Sequence, residues 1–120
     1  MNEVMLEKAK DVGRLLGQSD QYKALQRARE RLNEDREAVE LVNRLAELER
    51  DLQGALQQGQ EPTEEQQKQY EETFSKLQSG LTYQALVAAQ SNFDRVLQKV
   101  NEQIGEGIDA GAKSSIIMPG

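Results

Sequence analysis

Cysteine is absent from this chain, and so is histidine. Without thiols there is no disulfide, no thiolate nucleophile and no Cys-ligated iron–sulfur cluster. Without imidazole the commonest general base and the commonest metal ligand are missing. Tryptophan is also absent, and aromatic residues make up only 4% of the sequence. Such a chain builds its core from aliphatic stripes on helices. It also leaves apolar surface for a second copy or a partner to cover. The only prolines are Pro62 and Pro119, so almost nothing interrupts helix between Asn2 and Gly59. No apolar run approaches the roughly 20 residues that a membrane span needs. The charged start, MNEVMLEKAKDVGRLL, does not read as a signal peptide. A reducing cytoplasm is the expected location.

What is abundant is charge. Twenty-one acidic and 15 basic residues give a net charge of −6. General nucleic-acid binding runs on neutralising phosphates with Lys and Arg, so an acidic chain is poorly suited to it. The 120 residues make one domain.

The apolar spacing is helical throughout. Val4, Met5, Val12, Leu15 and Leu16 form a first stripe, with Gly17 as a stop. Ser19 or Asp20 can cap a second helix over about Asp20 to Leu32, carrying Tyr22, Leu25, Ala28 and Leu32. Asn33 and Asp35 offer a break and a fresh cap. From Arg36 to Gln58 the positions Ala38, Leu41, Leu45, Leu48, Leu52, Ala55 and Leu56 alternate threes and fours, as a long amphipathic helix requires. Gly59 then stands where a C-terminal glycine is expected. Thr63 with Gln66 fits a capping box, and Glu64 and Glu65 favour the positive end of the following helix dipole. The polar stretch Ala55–Phe74 is therefore a hairpin tip whose turn is only Gly59 to Pro62, not an interdomain linker. Ser79-Gly80 marks another break. Leu86, Ala89, Phe93, Val96, Leu97, Val100, Ile104 and Ile108 make the strongest stripe. Gly105 and Gly107 weaken its end, and AGAKSSIIMPG reads as irregular.

The expected architecture is an all-α bundle of four to five helices with a long antiparallel hairpin, dimeric in solution. It divides into a bundle domain over residues 1–109 and a flexible C-terminal tail over 110–120.

The order of these features resembles the YlbF/YmcA-like family of small bacterial helical proteins, especially its YheA-type branch. The sharpest match is Leu52, Leu56, Gln57, Gly59, Glu61, Thr63 and Glu65. The Leu32-Asn33-x-Asp35 turn and the Val100-Asn101-x-x-Ile104 ending agree as well. The resemblance covers roughly residues 5–108. It implies a helical bundle that associates as dimers and a regulatory or adaptor role without enzymatic activity. The better-studied relatives act in a complex that influences competence, biofilm formation and sporulation, linked to RNA processing by a membrane-anchored ribonuclease. Some bind iron–sulfur clusters through cysteines, a property this cysteine-free chain does not share.

No residue set points to catalysis. The adjacent acids Glu64/Glu65, Glu71/Glu72 and Glu34/Asp35 do not face each other on a helix. Glu64–Lys68 and Glu72–Lys76 have the order that stabilises a solvated helix. A di-iron bundle needs Glu-x-x-His motifs, which a histidine-free chain cannot supply. No cofactor and no metal is expected. Two interaction surfaces stand out instead. The stripe Leu41, Leu45, Leu48, Leu52 and Leu56, with Phe93 and Val100, is either intramolecular core or a dimer or partner interface. Lys23, Arg27 and Arg31 form a basic ridge that is either a solvated face balanced by Asp20, Glu30, Glu34 and Asp35 or a docking patch for an acidic partner or RNA. Ile116-Ile117-Met118 could serve as a docking peptide or simply be a loose end. The expected function is a non-enzymatic regulatory or adaptor protein acting through protein–protein interaction, with itself and another protein as partners and no membrane insertion. The alternative is a nucleic-acid-binding regulator using the basic ridge.

Overall fold

Four of the helices begin where a short polar side chain takes a free backbone N–H. The computed structural model describes residues 2–117, with side chains through Lys113. Its described residues form five helices and no strand: α1 (Glu3–Gly17), α2 (Asp20–Glu34), α3 (Arg36–Gln57), α4 (Glu64–Gln78) and α5 (Leu81–Ile117). The Asn2 carboxamide accepts from Val4 and Met5 at 3.0 and 3.4 Å. Ser19 Oγ accepts from Tyr22 at 3.1 Å. Thr63 and Gln66 close the full capping box at 3.1 and 3.0 Å. These bonds satisfy donors that the first helical turn leaves free.

The turn after α3 is equally local in origin. Gly59 adopts φ +74°, a left-handed conformation that glycine reaches without steric penalty. Its N–H donates to Leu56 O, and the Gln60 N–H donates to Ala55 O at 2.8 Å. That pair of bonds is a Schellman motif. The chain then reverses into α4. Tyr70 donates to Glu49 at 3.2 Å across the hairpin, and Arg44 reaches Gln69 at 3.5 Å.

Packing follows the stripes. α2 lies along α5, with Leu25, Ala28 and Ala89 buried together and Tyr22, Leu86 and Phe93 against them. The Tyr22 and Phe93 rings meet at 5.2 Å, tilted as their quadrupoles prefer. A second cluster buries Leu32, Ala38 and Leu77 under Leu41, Leu45, Tyr83 and Leu86. Leu86 belongs to both clusters and joins them. Asp35 fixes the same junction. One carboxylate oxygen caps α3 through Ala38, and the other accepts from Thr82 Oγ1 at 2.6 Å. The end of α2, the start of α3 and the start of α5 are thus held at one residue.

Two sequence expectations need correction. α5 continues through Ile117, although the sequence reads as irregular from Ala110. Ala110, Ala112 and Lys113 are strong helix formers, and no proline intervenes before Pro119. Interior glycines cost about 1 kcal/mol each without breaking the hydrogen-bond ladder. The Ile116-Ile117-Met118 peptide lies outside the residues whose side chains are described. Second, neither Glu64–Lys68 nor Glu72–Lys76 closes as an ion pair. Among the described residues the pairs formed are Asp11–Arg14 and Arg44–Glu47. Exposed pairs of long side chains gain too little to hold one geometry.

The bundle is elongated, at 67 × 38 × 22 Å with a radius of gyration of 21.7 Å. A compact chain of this length would have about 14 Å. Its accessible surface is 9647 Å², against roughly 6,500 Å² for a compact monomer of this mass.

Candidate functional site

The sequence-derived leucine stripe is largely consumed within the chain. Leu48 is buried, and Leu41 and Leu45 pack on the second cluster. Leu52 is half-buried and only Leu56, near the hairpin tip, is exposed. Phe93 lies against Tyr22 in the first cluster. Lys23, Arg27 and Arg31 are all exposed on the outward side of α2, and none is within ion-pair distance of an acid among the described residues.

Val100 has a different setting. Beyond Ser19, α1 and the distal part of α5 flank an open apolar groove of about 600 Å³. Val12, Leu15 and Leu16 line it from α1, and Val96, Val100 and Ile104 from α5. Lys99 and Gln103 are among its few polar margins. The stripe of α1 forms a helix face as the spacing predicts, yet α1 buries no residue. Leu15 is 68% exposed, and Val4 and Met5 are exposed beside it. On α5, Ile104 and Ile108 are 53% and 65% exposed. Large apolar side chains exposed along two neighbouring helices mark an interaction surface rather than scattered surface residues. Spacing alone could not reveal this groove. Periodicity gives the face of a helix but not whether a neighbour covers it.

A second, polar cleft of about 220 Å³ lies at the helix junction, lined in part by Asp35, Glu37, Lys76 and Ser79. Asp35 is its most constrained acid. The hydrogen bond from Thr82, followed by that from the Ala38 N–H, holds its carboxyl below the ordinary carboxylate range. A carboxylate kept ionised and engaged through both oxygens is a structural cap, not a poised proton donor. Loss of solvent around Tyr70, with the acceptor Glu49 beside it, raises the phenol pKa. No group of three or more Asp, Glu, His or Cys converges on a common point among the described residues. No described helix is long and apolar enough to cross a membrane.

Comparison with known proteins places this architecture. The family model described as "Control of competence regulator ComK, YlbF/YmcA" matches residues 5–109. The chain belongs to the YlbF/YmcA family. The match runs from α1 through most of α5, so it takes in both walls of the groove. This YlbF/YmcA-family chain is 28% identical over 105 residues to a UPF0342 protein of Staphylococcus saprophyticus, covering 88% of this chain and 92% of that protein. It is 29% identical over 105 residues to a UPF0342 protein of Symbiobacterium thermophilum, covering 88% and 94%. A UPF0342 protein of Leuconostoc citreum is 24% identical over 108 residues, at 89% and 92% coverage. No solved structure matches the chain at a significant level. The family is linked by its description to control of the competence regulator ComK.

Proposed function

We propose that this chain is a non-enzymatic regulatory adaptor of the bacterial cytoplasm that works as a homodimer and binds a further protein. The exposed apolar face along α1 and the distal part of α5 carries this reading. A chain of this length with 9647 Å² of accessible surface and isoleucine and leucine side chains in water has association as its natural role. The family's link to control of a regulator supports it. The side-chain inventory supports it too, since the sequence offers neither cysteine nor histidine for nucleophilic or general-base chemistry. The leucines Leu52 and Leu56 at the hairpin end, and the ridge of Lys23, Arg27 and Arg31, are candidate seats for the further protein.

The test is capture of the tagged full-length chain from extracts of its own host, with and without ribonuclease, followed by mass spectrometry. A protein recovered in near-equal amounts, insensitive to ribonuclease and lost when Arg27→Glu and Arg31→Glu or Leu56→Glu is introduced, is the expected result. Partners that vanish with ribonuclease, together with salt-sensitive RNA binding lost in the Arg27→Glu, Arg31→Glu variant, would replace the adaptor reading with an RNA-binding one.

A further inference from the structure

The 37-residue α5 is about 55 Å long. α2, its main neighbour, has 15 residues and covers only about 22 Å of it. Past Lys99 the helix continues as an arm that faces α1 across the open groove. That arm is a poor helix on its own terms. Gly105, Gly107 and Gly111 each disfavour helix by about 1 kcal/mol relative to alanine, and a short helical segment without tertiary packing is marginal in water. Nothing among the described residues requires those glycines, because a Cβ added at any of the three would meet no atom within 4 Å.

Spacing of the arm shows what they fit. Val100, Ile104, Gly107, Ile108 and Gly111 fall on one face at steps of four, three, one and three. Glu102, Glu106 and Asp109 fall on the opposite face. The face therefore alternates large and small without charge. Two such arms crossing antiparallel about a two-fold axis near Gly107 put Ile108 of each opposite Gly107 of the other. The same register puts Ile104 opposite Gly111. Large side chains then enter gaps left by glycine, and an isologous contact is self-complementary in this way. The groove between α1 and α5 continues the same surface, since Val100 and Ile104 line it as well. The surface in excess of a compact chain, about 3,000 Å², is ample for the roughly 800 Å² per partner of a standard interface.

We infer that a second copy of this chain seats on the distal arm of α5 and the adjoining α1 groove, with the two arms antiparallel about Gly107. The inference rests on the self-association part of the proposed function and assigns its surface. It is tested on the full chain by sedimentation and by crosslinking. The unaltered chain is expected to be a dimer. Ile104→Glu with Ile108→Glu should weaken it by at least about 100-fold, as charging the centre of an interface does, with the helical circular dichroism retained. Leu81→Glu, on an 81% exposed side chain outside the arm, should leave the dimer intact. Because the chain holds no other cysteine, Gly107→Cys should yield a single covalent dimer on mild oxidation, and Gln84→Cys should not. The crosslink also decides the matter if the double glutamate variant fails to fold. A dimer that survives the glutamates while folded, or a folded Gly107→Cys dimer that does not crosslink, overturns the arm assignment and leaves self-association standing. An unaltered chain that stays monomeric overturns both.

Discussion

Leu25→Ala tests where the stability of this small core resides. Leu25 is 1% exposed, at the centre of the contact between α2 and α5. The substitution removes three carbons, worth about 2.4 kcal/mol of transfer free energy at roughly 0.8 kcal/mol each. Its nearest buried neighbours, Ala28 and Ala89, are too small to fill the space. Tyr22 and Phe93 can close part of it. A total of about 3 kcal/mol follows, within the range of roughly 2–5 kcal/mol for such changes. A chain of this length has on the order of 6–18 kcal/mol of stability. Among the described residues the buried core is Leu25, Ala28, Leu32, Ala38, Leu48, Leu77 and Ala89, so the lower half of that range applies. At about 2.1 cal/mol/K of unfolding entropy per residue, 3 kcal/mol lowers Tm by about 12 °C. The assay is thermal unfolding followed by circular dichroism at fixed protein concentration, beside Leu81→Ala as a surface control. Leu81→Ala should move Tm by no more than about 2 °C. A Leu25→Ala shift below about 4 °C would refute the packing of α2 on α5 as the centre of stability.

Other perturbations address the turns and the junction. Gly59→Ala should lower stability by about 1–2 kcal/mol, because an L residue at φ +74° is strained; the urea midpoint should fall while the slope stays unchanged. Thr63→Ala should lose about 1 kcal/mol with its cap, and hydrogen exchange should quicken first at the Gln66 amide. Asp35 has a lowered pKa in the folded chain, so its contribution is present above the ordinary carboxylate pKa and is lost as pH falls below about 4. Asp35→Asn should therefore flatten the acid limb of the stability–pH profile. An acid limb identical to that of the unaltered chain would place the titrating groups elsewhere.

The helix ends were legible because capping is local. Ser19, Asp35, Thr63 and Gly59 each act within four residues of their position, and each stands where the sequence pattern puts it. The break at Ser79-Gly80 and the hairpin tip were readable for the same reason. The Thr82–Asp35 bond was not, since its partners lie 47 residues apart with no local signal. The leucine stripe was legible as a face but ambiguous as to its neighbour. Leu48 proves buried within the hairpin while Leu56, on the same stripe, faces water. The continuation of α5 past Ala110 is not legible in the sequence, because glycine content lowers propensity without removing a hydrogen bond.

Helix lengths explain why this chain cannot enclose its own apolar residues. A helix of 37 residues needs neighbours along its whole length if its stripe is to be covered. α3 and α4 are occupied with each other in the hairpin, and α4 meets α5 only at their shared junction. α2 ends its run beside Phe93. That leaves α1, whose 15 residues span about 22 Å and whose own face stays open. No rearrangement of one short helix can cover both itself and some 20 residues of α5. The unburied Ile104 and Ile108 are thus a consequence of the order and length of the helices, not of a loosely chosen sequence. Covering that face is the role proposed above for a second copy of the chain.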